Sequence, residues 1–101
     1  MVMQNEALTQ RLGRRLRTAR FAAGLTVREA AARAGLPGHT QLVRYENGRA
    51  QPPLERLAAL ASAYGTTLSA LLALHDEAVA LIAVIERADE STLRRLLGAL
   101  E

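Results

Sequence analysis

Residues 24–49 read GLTVREAAARAGLPGHTQLVRYENGR, and the order of glycines, caps and apolar positions in this stretch decides the fold. Gly24 stands where an arriving helix should stop, because glycine takes the left-handed C-terminal conformation without a Cβ penalty. Thr26 follows as an N-cap. Glu29, three residues later, completes a capping box in which hydroxyl and carboxylate each satisfy an orphan backbone N–H. A helix of about two and a half turns is therefore expected from Val27, with Ala30, Ala31 and Ala34 on one face and Gly35 as its stop. Leu36, Pro37 and Gly38 form the turn. A further helix begins at Gly38 or His39, with Gln41 placed to cap back, Leu42 and Tyr45 pointing inward, and Gly48 ending it. His39, Thr40, Gln41, Val43 and Arg44 are left mostly outward.

Alanines between two helices let the backbones approach closely, which fixes the angle at which the second helix protrudes. A protruding helix with donors on its outer face, after a short helix and a turn, is a helix-turn-helix, the arrangement that puts a helix into the major groove of DNA.

Outward from this stretch the pattern stays helical. Residues 6–23 form a first helix, with Leu8, Leu12, Leu16, Ala19 and Ala23 spaced by three or four and Arg11, Arg14, Arg15 and Arg17 on the other side. Pro52 and Pro53 set an extended approach to a fourth helix striped by Leu54, Leu57, Leu60, Ala61 and Tyr64 and ended by Gly65. Thr67 caps a fifth through Leu68, Leu71 and Leu72. Beyond residue 73, Asp76 caps a helix through Arg87 that is apolar nearly all round, and Asp89 caps a last one. The expected fold is all-α, with a five-helix domain at residues 6–73 and a helical tail at residues 74–101. Helices so apolar cannot stand in water alone. Either they fold back on the domain or, the favoured reading, they form a homodimer seam of Val79, Ile82, Ile85, Leu93, Leu96, Leu97 and Leu100.

Composition bounds the function. The chain has 101 residues, 50% of them apolar and only 3% aromatic, so the core is built from Leu, Ala, Val and Ile. No run of eighteen apolar residues occurs, and the first nine residues are polar and partly acidic, so neither a membrane span nor a signal peptide is expected and the cytoplasm is the expected compartment. The absence of cysteine excludes disulfides, thiol switches and zinc fingers. The net charge of +3 conceals an asymmetry: residues 1–73 carry ten Arg against four Glu, net +6, whereas residues 74–101 carry three Arg against six acidic residues, net −3. The basic part is the part with the motif. Every basic residue is arginine, which suits bidentate contact with phosphate and guanine, although an Ala- and Arg-rich composition is also what a GC-rich genome produces. No enzyme is expected: the only histidines are His39 and His75, aspartate occurs only at 76 and 89, and no serine sits in a nucleophile-like turn. Two histidines that far apart, without cysteine, imply no metal site, and no cofactor is expected.

The elements Gly24-Leu25-Thr26, Ala30-Ala31, Gly35-Leu36, Glu46-Asn47-Gly48-Arg49, and Pro52 followed by Leu57, Ala61 and Gly65 resemble the Cro and phage-repressor type of helix-turn-helix, the XRE family. The resemblance covers residues 12–72. Three departures stand out: the interval from Gly35 to Glu46 is one residue longer, at Pro37-Gly38; Val27 replaces a phosphate-binding glutamine; and Ala30 replaces a larger leucine. The resemblance implies a repressor-like domain with a recognition helix at about residues 39–47, and a structural ion pair between Arg20 and Glu46 joining the first helix to the third. It implies phosphate contacts from Arg15, Arg28, Asn47 and Arg49, with N–H groups at the starts of helices 2 and 3. Base contacts fall to His39, Thr40, Gln41, Val43 and Arg44, with Arg44 suited to O6 and N7 of guanine and Val43 to a thymine methyl. The function implied is a sequence-specific transcriptional regulator, a repressor that binds a palindromic operator in double-stranded DNA as a homodimer. Two alternatives use the same scaffold: an antitoxin that binds its own operator and a toxin partner, and a protein-interaction module without DNA.

Overall fold

The computed structural model describes residues 2–101, with side chains from Leu8 onward; the polar chain start at residues 1–7 falls outside the described side chains. Seven helices and no strand occur among the described residues: α1 Val2–Ala22, α2 Val27–Arg33, α3 His39–Glu46, α4 Leu54–Tyr64, α5 Leu68–Leu71, α6 Asp76–Arg87 and α7 Glu90–Leu100. The protein is all-α.

Local chemistry sets the boundaries of α2. Gly24 and Gly35 hold φ of 72° and 73°, and after each the next residue donates back to the last turn, Leu25 to the Arg20 carbonyl and Leu36 to that of Ala31. This closure drops Leu25 and Leu36 into the core. The capping box is complete: the Glu29 N–H donates to Thr26 Oγ1 at 3.1 Å, and the Thr26 N–H to Glu29 Oε1 at 2.9 Å. Thr67 and Asp89 cap α5 and α7 by accepting from the N–H groups of Ala70 and Thr92.

Two expected caps are absent. α3 has no side-chain cap, because Gly38 occupies the N-cap position and has no side chain to offer, and Gln41 does not bond back. α6 is capped by His75 without a side-chain bond; Asp76 is the first helical residue, and its carboxylate turns to Arg14 and Arg15 instead.

The core lies where α1 to α5 converge. Leu16, Leu42, Leu57 and Leu60 are its largest fully buried side chains, each stabilising the fold by about 1.5–3 kcal/mol. Ala30 and Ala31 bring α2 onto α3 and α4. α6 packs chiefly against α5, and neither α6 nor α7 contributes a buried residue. Among the described residues no helix is long and apolar enough to cross a membrane.

Candidate nucleic-acid interface

α3 is anchored from three sides. Leu42 and Tyr45 point into the core, 0% and 2% exposed, and the Tyr45 hydroxyl accepts from Arg56 Nη1 at 3.1 Å, which ties α3 to α4. The C-terminal end of α3 is fastened to α1 by charge. Arg20 Nε donates to Glu46 Oε2 at 2.6 Å and Arg20 Nη2 to Glu46 Oε1 at 2.9 Å, while Nη1 donates to the Leu25 carbonyl at 3.0 Å. Both side chains are over nine-tenths buried. Hydrogen bonding to Glu46 raises the Arg20 guanidinium above its ordinary value, against the opposing effect of burial. Such a bidentate buried pair fixes geometry as much as it adds energy.

Gly13 explains how α1 comes so near. A Cβ built there would lie 2.6 Å from the carbonyl oxygens of both Tyr45 and Glu46, so the α1 backbone touches the last turn of α3 directly. Arg17, one turn before Arg20, reaches the same corner: it lies 3.5 Å from Glu46 Oε1 and donates to Asn47 Oδ1 at 2.7 Å. The sequence places Arg17 only on the arginine-bearing side of the first helix. Its spacing of four from Gly13 and three from Arg20 puts all three residues on one side of α1, a signal present in the sequence.

The opposite face of α3 is open. Thr40, Val43 and Arg44 are exposed, and His39 and Gln41 are half-buried. Arg28 of α2 and His39 at the start of α3 line one shallow depression across the turn, together with Pro37 and Gly38. Arg49 is exposed beyond the end of α3. The side chains of Arg28, Arg44 and Arg49 have no hydrogen-bond or ion-pair partner among the described residues, so their donors are available. Asn47 is exposed, with its carbonyl oxygen already engaged by Arg17.

Arg15 stands apart from this surface and corrects the phosphate role expected of it. It is 6% exposed; Nη1 donates to the carbonyls of Leu71 and Ala73, and Nε and Nη2 to Asp76. The reason lies in helical phase. Arg15 falls between Leu12, Leu16 and Ala19 on the inward stripe, whereas Arg14 faces outward, so it caps the end of α5 from within. Tyr64, also buried, has a hydroxyl without a hydrogen-bond partner among the described residues. Its pKa is pushed up to about 12, first by burial and then by the negative charge of Glu46.

The tail residues expected at a seam divide into two sets. Ile85, Leu96, Leu97 and Leu100 are exposed, and Val79, Ile82 and Leu93 are half-buried. No group of three or more potential metal ligands gathers among the described residues.

No curated protein matches the chain. A family model described as a helix-turn-helix domain matches residues 11–74, a span that includes the anchored α3 and all the elements that hold it, and the match is consistent with the Cro and phage-repressor resemblance. With α2, the turn and α3 in the geometry above, the chain belongs to the helix-turn-helix domain family of DNA-binding domains.

Proposed function

We propose that this protein is a sequence-specific transcriptional repressor of the Cro and phage-repressor kind, with residues 6–73 binding DNA and residues 74–101 joining two copies. The observation that carries the reading is the pairing of a rigidly anchored α3 with an outer face of free donors. Arg44 is exposed on that face, and Arg28 of α2 and Arg49 beyond the end of α3 carry guanidiniums unpaired among the described residues. A helix held by a buried ion pair and two core side chains enters a groove without losing much conformational entropy, and arginine reads guanine there in bidentate fashion. Arg28, Arg49 and Asn47 serve the phosphates on either side, and His39, Thr40, Gln41 and Val43 complete the base-reading set. Repression needs no further surface, because occupying a promoter is sufficient.

The tail supports the dimer. Leu81, Val84, Leu97 and Leu100 are each more than 60% exposed, and an apolar surface of that kind on a small monomer marks an interaction site. A two-fold dimer would place two α3 helices on half-sites roughly one helical turn, about 34 Å, apart. In vitro selection of bound DNA together with sizing of the free protein tests the reading. It predicts a palindromic site and a dimer; a non-palindromic site with a monomer refutes the tail's role, and selection of no sequence refutes the DNA-reading role of α3.

A further inference from the structure

A groove of about 560 Å³ runs between α1 and α6, within the ordinary range for a small-molecule site. α6 is held at both ends by polar contacts: Asp76 in its first turn meets Arg14 and Arg15, and Glu86 in its last turn accepts from Ser69 Oγ at 2.7 Å. Between these fastenings the two helix walls are mostly small and aliphatic, with Ala19 and Ala22 of α1 on one side and Val79, Ala80 and Ala83 of α6 on the other, while Thr18, Tyr64 and Thr66 also line the groove. Helices faced with larger side chains would have closed this space; here α6 buries no residue at all.

The charge at one end of the groove names the occupant. Two guanidiniums share the single carboxylate of Asp76, which is itself 64% exposed to competing solvent. Their contacts to it are long, 3.1–3.4 Å, where charge-assisted N–H···O bonds settle near 2.7–2.9 Å. Arg14 uses only Nη2 and is 59% exposed, so its remaining donors are available to a second anion. A largely apolar trough ending at the partly used guanidinium of Arg14 is complementary to a molecule with a hydrocarbon body and one carboxylate.

We propose that the groove between α1 and α6 binds an amphipathic monocarboxylate, with its hydrocarbon body against Ala19, Ala22, Val79, Ala80 and Ala83 and its carboxylate on Arg14. This site lies away from the outer face of α3, and its test involves no DNA, so its outcome is independent of the DNA-reading role proposed above; it shares Val79 with the proposed dimer seam, and the self-association outcome below separates the two.

The probe is octanoate, titrated into the full-length protein below its micellar concentration and followed by amide NMR, with octanol as the uncharged match. The expected result is saturable shifts concentrated at Ala19, Ala22, Ala80 and Ala83, about tenfold weaker binding of octanol and about tenfold weaker binding of octanoate to Arg14→Gln. Ala83→Phe, which fills the groove, should abolish binding; Ala80→Leu serves the same purpose from one turn earlier if the first variant fails to fold. The proposal is overturned by the absence of saturable shifts, by octanol binding as tightly as octanoate, by unchanged binding in a folded groove-filling variant, or by protection of these residues on protein self-association alone, which would place a second copy in the groove.

Discussion

Gly13 of α1 lies so close to the main-chain oxygen of Glu46 that a methyl group there would sit 2.6 Å from it, a distance no real Cβ maintains. The obstacle is backbone on both sides, so neither element can yield by a rotamer change. Gly13→Ala gains about 1 kcal/mol of helix propensity but must push α3 outward or tilt α1, an overpacking cost of about 1–3 kcal/mol. The net expectation is a lower urea midpoint together with weaker operator binding. Binding that weakens while stability holds would indicate that α3 has moved without loss of the core.

Arg20 and Glu46 form the other half of that junction. Replacing Glu46 with Ala leaves the guanidinium buried without its anion, at a cost of about 3–5 kcal/mol. Removing both charges with residues of similar volume, as in Arg20→Met with Glu46→Leu, should restore much of that loss. Urea denaturation of the single and double variants measures the difference, and a double variant as unstable as the single one would show that the pair itself, and not the stranding of a lone charge, stabilises the fold.

Arg44 and Arg49 should separate by kind of effect. Arg44→Ala is expected to cost about 1–3 kcal/mol at one base position and to relax specificity there, whereas Arg49→Ala should weaken all sequences alike and flatten the salt dependence by about one counterion. If the proposed dimer engages about six to eight phosphates, log K should fall against log salt with a slope of roughly −6. Gel-shift titration against a randomised operator at several salt concentrations reads both effects.

Much of this architecture was legible in the sequence because it is written in local chemistry. Thr26 with Glu29, and the glycines at 24 and 35, specify the ends of α2 through backbone hydrogen bonds that involve only neighbouring residues. Side chains whose partners are distant in sequence were harder to place. Arg15 belonged to the inward stripe by phase, yet its charge argued for solvent; only the arrival of the Leu71 and Ala73 carbonyls and Asp76 resolves the conflict. Gly13 shares a helix side with Arg17 and Arg20, but that spacing does not tell why a glycine stands there; a mid-helix glycine reveals its purpose only when another backbone approaches. Asp76 reads as a cap because it opens a helix, yet it is the first helical residue and its oxygens accept from two guanidiniums of α1, partners that no local pattern reveals.

Asp76 also carries a pH dependence. Its hydrogen bond from Arg15, with the nearby Arg14 charge, holds its carboxyl below the ordinary carboxylate range. A depressed folded-state value means that the stabilisation is complete above the unfolded value, near 4, and disappears as the pH falls through the lower folded value. The unfolding midpoint of Asp76→Asn should therefore lie below that of the parent protein at neutral pH, and the gap should close in acid. A gap that persists unchanged at pH 2 would assign the effect to something other than ionised Asp76.

The most direct measurement is amide NMR of the protein saturated with its selected operator duplex. The largest shifts should fall at Thr40, Gln41, Val43 and Arg44, with smaller ones at Arg28, Asn47 and Arg49 and none at Arg15. Shifts confined to α6 and α7, with residues 39–44 unmoved, would contradict a recognition role for α3.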